Sequence, residues 1–274
     1  MNKLLKNKTI FISGASRGIG RSIALRAAMD GANIVIAAKT AEPHPALPGT
    51  VYTVAKEVEA MGGKALPIIV DVRNEQSIED AVNKTIEEFG GLDILINNAS
   101  AISLTKTENT PSKRFDLMFD INVRGSYLCS KVCIPYLKKS QNPHILSLSP
   151  PLNLQAKWFA EHTPYTMSKF AMSMLIMGLA EELKDAEISA NALWPKTIIA
   201  TSALKIAKPG FDELARTPEI MSDAAYEIIT SPRGNITGRF YLDEEILRER
   251  GVSDFSAYLV TPGIEPMIDL FVEP

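Results

Sequence analysis

The stretch Thr9-Ile-Phe-Ile-Ser-Gly-Ala-Ser-Arg-Gly-Ile-Gly20 runs from a short apolar segment straight into a glycine-punctuated turn. Ile10, Phe11 and Ile12 read as a buried strand. Gly14, Gly18 and Gly20 let the backbone turn tightly and come close to a ligand, and a helix opening near Gly18 aims unpaired N–H groups and a positive dipole end at an anion. The spacing is G-x-x-x-G-x-G, which differs from the G-x-G-x-x-G dinucleotide fingerprint. Glycines also punctuate ordinary tight turns, so the context decides. A helical run over 22–28 follows, then a second apolar strand over 33–38, completing a unit of about thirty residues as a βαβ crossover requires.

The same alternation continues along the chain. Residues 50–61 read as a helix stopped by Gly62-Gly63, and 65–70 as a near-continuous apolar strand covered on both faces. From 75 to 89, Ile78, Ala81, Val82, Ile86 and Phe89 recur at helical intervals. Strands are expected at 92–96, 144–148, 188–193 and 238–242. Helices are expected over 110–139, with a break at 120–125 because Gly125 weakens a helix interior, over 167–183, apolar nearly all round, and over 218–230. The pattern predicts a Rossmann-type, doubly wound α/β fold, a seven-stranded parallel sheet flanked by helices, in one domain spanning 1–274. Residues 243–274 form a C-terminal extension packed on it, whose role periodicity does not fix. The proline-rich stretch 39–49 reads as a semi-rigid surface loop, and 194–217 as a mobile lid.

Composition narrows the function class. At 274 residues, with 46% hydrophobic and 22% charged residues, the chain is an ordinary globular protein. A formal net charge of −3 gives no nucleic-acid or membrane-surface signal. The apolar runs are strand-length, far short of the roughly 20 residues of a spanning helix, and no apolar region of signal-peptide type follows the basic N-terminus, so a cytoplasmic protein is expected. Cys129 and Cys133 share one helix face and read as small buried hydrophobes; no further Cys or nearby His completes a metal site.

The second strong signal is Tyr165-Thr-Met-Ser-Lys169. Residues four apart on a helix face the same way, so phenol and ammonium project together. A free tyrosine has a pKa near 10, and a neighbouring cation lowers it toward a useful acid or base. Taken alone, such a pair is also an ordinary surface feature.

Together the motifs resemble the short-chain dehydrogenase/reductase family. "SGASRGIG" is similar to its T-G-x-x-x-G-x-G, Asp71 to its aspartate after the third strand, "NNAS" at 97–100 to its N-N-A-G, Asn122 to its helix asparagine, and "YTMSK" to its Y-x-x-x-K. The resemblance implies that Gly14, Ser16, Arg17, Gly18, Ile19 and Gly20 hold the pyrophosphate and adenosine ribose of a nicotinamide dinucleotide, that Asp71 and Val72 receive the adenine, and that Asn98 sits beside the nicotinamide ribose. Lys169 would bind that ribose and tune Tyr165, and Asn122 would hold a water linking Lys169 to solvent. The structural alternatives are that Asp71 caps a helix and that Asn97 and Asn122 satisfy backbone groups; for Asn97 the structural role is favoured. "AAKTAEPHP", "ASAISLT", "SPPLNL" and "NALWPKT" mark a closer subgroup whose members often carry a following sterol-carrier domain, so a lipid-carrier function is not expected to transfer.

An acidic residue ending the second strand would repel a ribose 2′-phosphate. Here Ala38-Lys39-Thr40 occupies that place, with Arg17 available from the turn, so NADP(H) is expected over NAD(H). The expected reaction moves hydride between the cofactor and a small carbonyl or secondary-alcohol substrate, in a homodimer or homotetramer. Tyr165 would exchange the proton, Lys169 would lower its pKa, and Asn122 would support the relay.

The pattern departs in one place that matters. Aligning 145–150 on the family's strand-five pattern puts Pro150 where the substrate-orienting serine belongs, with Ser149 one residue earlier. Three readings stand: Ser149 supplies the hydroxyl, Tyr165 suffices alone, or the protein is a catalytically silent NADP(H)-binding or scaffold protein. Ser100 and Lys196 replace family glycines on the nicotinamide side; Lys196 either reaches solvent or faces an acidic substrate group. Trp158, Phe159 and Trp194 are candidate apolar walls.

Overall fold

A computed structural model of the protein describes residues 3–43 and 47–273, so the tip of the proline-rich loop, 44–46, lies outside the described residues. Its apolar runs become seven strands: β1 (Thr9–Ser13), β2 (Asn33–Ala38), β3 (Lys64–Ile69), β4 (Ile94–Asn97), β5 (His144–Ser147), β6 (Ser189–Trp194) and β7 (Phe240–Leu242). They form one sheet in the order β3-β2-β1-β4-β5-β6-β7, every pair parallel. Both faces are covered, which is why β1, β2, β4, β5 and β6 are buried from end to end.

On one face lie α1 (Gly18–Ala28), α2 (Val51–Ala60) and α8 (Glu219–Ile229); on the other lie α3 (Glu75–Phe89), α5 (Ser126–Leu137) and α6 (Thr163–Glu182). The winding reverses between β1 and β4, the place where open α/β sheets bind ligands beyond their strand ends. Asn74, not Asp71, caps α3 through the Ser77 amide, so Asp71 stays available to the crevice.

The predicted break at 120–125 is a wider turn rather than an interruption. Between α4 (Ser112–Met118) and α5, residues Phe119–Gly125 form a π-helical turn that carries the buried Asn122. Gly125 is there for closeness: a Cβ would stand 2.8 Å from Val72 Cγ2. Helix α6 starts at Thr163, earlier than periodicity indicated, because Pro164 suits a first helical turn, and this brings Tyr165 into the helix. Cys129 and Cys133 are buried, and burial pushes the Cys129 thiol up to about 12.

The segment after β6 carries a short helix, α7 (Ser202–Ala207), along the crevice. Helix α9 (Asp243–Glu249) follows β7, and its Glu244 is 4% exposed yet receives Lys196 Nζ at 3.1 Å, Arg216 Nη1 at 2.8 Å and Arg248 Nη2 at 2.6 Å. Burial opposes its charge, but the three cations hold its carboxyl down at about 2. Lys196 therefore neither reaches out to solvent alone nor faces the crevice. The C-terminal extension returns across the end of β6: Ile198 N–H donates to Met267 O, Asp269 N–H to Lys196 O and Met267 N–H to Leu214 O. This strap is what periodicity left unassigned.

Candidate active site

A cavity of about 1050 Å³ runs from Gly14 and Arg17, past Lys39 and Asp71, to Tyr165 and Lys169. Its first end is the glycine turn. Gly14 has φ +69, and a Cβ there would stand 2.8 Å from Ala99 Cα; a Cβ on Gly20 would collide with the Asn98 side chain. Asn98 Nδ2 donates to Ser13 O at 2.9 Å and Gly14 O at 3.0 Å, while Ser13 Oγ accepts from the amides of Asn98 and Ala99. Asn98 thus clamps the β1 and β4 ends together. No side chain caps the first turn of α1, and Ser16, Gly18 and Ile19 line the cavity, which leaves the helix N–H groups free for an anion.

Cations gather beyond the turn. Arg17 donates to Thr40 Oγ1 and Gly49 O, both at 3.1 Å, which holds it at the end of β2. Lys39 Nζ lies 3.3 Å and Arg73 Nη2 2.6 Å from Asp71 Oδ2. Arg73, with Lys39, holds the Asp71 carboxyl well below the usual carboxylate range, so that acid is already neutralised. Nothing acidic ends β2. The residues fit a nicotinamide dinucleotide: bare helix amides at a turn too tight for a Cβ, and beside the end of β2 an aspartate already paired with cations.

The other end is nearly dry. Tyr165 is 5% and Lys169 2% exposed. Lys169 Nζ donates to Leu148 O at 2.6 Å, contacts Met172 Sδ at 3.5 Å and stands 5.0 Å from the centre of the Trp194 ring. Burial lowers its pKa to about 7, opposed by the charge of Asp269. Burial, with Asp269 second, pushes the Tyr165 phenol above its ordinary value. Lys169 makes no hydrogen bond to Tyr165 among the described residues, so the lowering of the phenol expected from the sequence is not what this arrangement produces.

Asn122 is fully buried; its Oδ1 accepts from Ala101 N–H at 2.7 Å, and its Nδ2 donates to Ala101 O at 2.9 Å and Ser168 Oγ at 3.0 Å. Its side chain ties the loop after β4 to α6. Asn97 Nδ2 donates to Ser130 Oγ at 3.1 Å, a bond to a side chain of α5 rather than to the backbone groups expected from the sequence. Ser149 is 0% exposed, its Oγ has no hydrogen-bond partner among the described residues, and it does not line the cavity. Just past β5 the chain turns tightly, Ser149 N–H donating to Ser147 O at 3.0 Å, and Leu148 lines the cavity while Ser149 does not. Pro150 only accepts, its carbonyl taking Ser173 Oγ–H at 2.6 Å.

Two residues of the strap stand at this end, one behind Tyr165 and one lining the cavity, and the motifs did not reveal them. Phe271, 2% exposed with φ 71, sits among Phe170, Trp194, His162, Trp158 and Tyr165, its ring centre 5.2 Å from that of Phe170 and 6.3 Å from that of Tyr165. Asp269 lines the cavity with Tyr165 and Lys169. The visible signal was a lone acid inside the apolar run 267–272.

The sequence profile of the short chain dehydrogenases matches residues 8–209. Hydroxysteroid dehydrogenase-like protein 2 of Homo sapiens is 58% identical over 266 residues, 97% of this chain and 63% of that protein. The chain thus spans less than two thirds of that curated relative. A solved short chain dehydrogenase from Mycobacterium thermoresistibile is 51% identical, with a TM-score of 0.93 covering 98% of this chain and 96% of that one. A solved chain from Xanthomonas campestris is 48% identical, with a TM-score of 0.96 covering 98% and 99%.

Proposed function

This chain belongs to the short-chain dehydrogenase family, and on that footing we propose that it is an NADP(H)-dependent oxidoreductase acting on a carbonyl or secondary-alcohol group of a small molecule. One observation carries the reading: a single cavity joins the uncapped start of α1 to the buried Tyr165 and Lys169. The nicotinamide, when bound, supplies or accepts hydride. The chain's residues do the rest. Gly14, Ser16, Gly18, Ile19 and Gly20 form the bed for the pyrophosphate, Asp71 and Val72 the adenine edge, and Asn98 keeps that bed shaped. Arg17 and Lys39 supply positive charge for a 2′-phosphate, which favours NADP(H) over NAD(H).

At the reacting end Tyr165 donates a proton to the developing alkoxide in reduction and takes it back in oxidation. A bound ribose drawing Lys169 away from Leu148 O would bring its charge to the phenol and lower it, and Asn122 holds α6 in register while that happens. The walls exclude water. The exposed Met167, Met174 and Met177 of α6 and Tyr127 of α5 leave apolar outer faces that support a homodimer or homotetramer, which light scattering of the purified protein tests. No helix among the described residues is long and apolar enough to cross a membrane.

Titration with NADPH and NADH, read by cofactor fluorescence, followed by a panel of ketones and aldehydes, tests the proposal. Tighter NADPH binding and turnover of at least one carbonyl are expected. Binding without turnover across the panel favours a silent cofactor-binding protein, and tighter NADH binding removes the role given to Arg17 and Lys39.

A further inference from the structure

Among the described residues, the turn just after β5 offers the cavity no side-chain hydroxyl as a second donor to a substrate oxygen, since Ser149 is buried away from it and Pro150 has no side-chain proton. Among the ionisable side chains that line the same cavity, Asp269 is the one whose charge acts on both Tyr165 and Lys169. Asp269 comes from the C-terminal strap, whose backbone fixes it on both sides: Asp269 N–H donates to Lys196 O at 3.0 Å, and Trp194 Nε1–H to Leu270 O at 2.8 Å. Its Oδ1 accepts from Leu270 N–H at 2.7 Å. Among the described residues its Oδ2 has no hydrogen-bond partner, and no cation stands within ion-pair distance of the carboxyl. A carboxylate left this way beside apolar Ile268 and Phe271 is better satisfied as an acid with a proton to give.

The charged and titratable groups that act on it come from three directions. Tyr165 and Lys169 stand on α6, Lys208 follows α7, and Asp243 opens α9. Burial and Asp243 favour the protonated carboxyl, while the Leu270 amide, Lys208 and Lys169 oppose it, and burial wins, raising it to about 7. The protonated form is thereby favoured relative to an ordinary aspartate.

We propose that Asp269 does the work of the missing serine: as a carboxylic acid it donates an Oδ2–H hydrogen bond to the substrate carbonyl oxygen beside Tyr165. The proposal rests on the oxidoreductase reading above. In reduction, with hydride supplied to the carbonyl carbon by a bound reduced nicotinamide, the π pair would move to oxygen and Tyr165 would give that oxygen its proton. Asp269 keeps its own proton throughout and stabilises the oxygen as charge develops on it. The strap is thus part of the active site and not only its cover.

The test compares Asp269→Ala, Asp269→Asn and Ser149→Ala with the unaltered protein, using NADPH and the carbonyl that the panel identifies. Asp269→Ala is expected to lose about 100-fold in kcat/KM, the scale of one lost oxyanion donor, with NADPH affinity within about twofold. Asp269→Asn keeps an N–H donor, retains most of the rate and flattens its fall above neutral pH. Ser149→Ala is expected to be unchanged. Carbon-13 NMR of labelled aspartate in the cofactor-free protein adds a readout independent of turnover: one carboxyl titrating near 7 that vanishes in Asp269→Asn. Full turnover in Asp269→Ala, loss of rate in Ser149→Ala instead, or an ordinary aspartate titration overturns the proposal while leaving the oxidoreductase reading intact. If Asp269→Ala does not fold, the Asn variant and the NMR titration decide. An unaltered protein that turns over no carbonyl fails the reading on which the proposal rests.

Discussion

Phe271→Ala separates the strap from the sheet more cleanly than any other single change. The ring is 2% exposed and meets five aromatic neighbours, so its removal forfeits the full transfer and cavity terms, about 3–5 kcal/mol for a buried Phe. The left-handed backbone, φ 71, is retained by Ala at a similar strain of about 1–2 kcal/mol. Residues 264–273 dock as one segment through the Phe271 cluster and hydrogen bonds to 194–198 and Leu214, so the loss is expected to fall on local docking first. A cost of about 3 kcal/mol raises the open fraction of the strap by about 100-fold. Hydrogen exchange reads this directly: the amides of Ile198, Met267 and Asp269, all bonded across the strap, are expected to exchange about 100-fold faster, while Phe11 and Val35 in the sheet centre stay protected. Trp158 and Trp194, the chain's two tryptophans, both touch the ring, so their emission shifts to the red. Unchanged exchange at Asp269, or an equal rise throughout the sheet, would refute the strap as a separately docked wall.

Three further outcomes are expected. Arg17→Ala should weaken NADPH about tenfold and leave NADH nearly unchanged in fluorescence titration, since a charge-assisted phosphate contact is worth about 1.5–3 kcal/mol; equal weakening of both cofactors contradicts it. His144 is buried with its Nε2 on Ser231 O, and burial lowers it to about 4. Its folded value lies below the unfolded value of about 6.5, so the native state holds fewer protons between them, and stability is lost as pH falls from about 6.5 to about 4, by up to about 3 kcal/mol. Urea unfolding at pH 7 and pH 4.5 reads that loss, and His144→Gln should shrink it. Glu244→Gln leaves the buried Arg216 short of its counter-charge and should cost about 3 kcal/mol or more in urea unfolding; a change under about 1 kcal/mol would show that the cluster relaxes into solvent.

The fold was legible where its signals are local. The turn at 14–20 announces itself because glycine alone tolerates φ +69 against Ala99, and Tyr165 and Lys169 announce themselves by one helical turn of spacing. What was hidden depends on partners distant in the chain. Gly125 read as a weakness in a helix, yet Val72, from the turn after β3, dictates it. Lys196 read as a residue facing solvent or substrate, yet it meets Glu244 on α9. Ser149 and Pro150 differ by one position from the family pattern, and only the folded turn after β5 shows that neither side chain lines the cavity. Asp269 and Phe271 carry no motif; a strap that returns across β6 brings Asp269 to the cavity and Phe271 against Tyr165.

The central claim is that Tyr165 exchanges the proton that accompanies hydride transfer from a nicotinamide bound between the turn at 14–20 and Lys169. The most direct measurement is kcat/KM of Tyr165→Phe with NADPH and the best carbonyl substrate, alongside its NADPH affinity. The account predicts a loss of about 10²–10⁴-fold with cofactor affinity retained. Full turnover by Tyr165→Phe would contradict it.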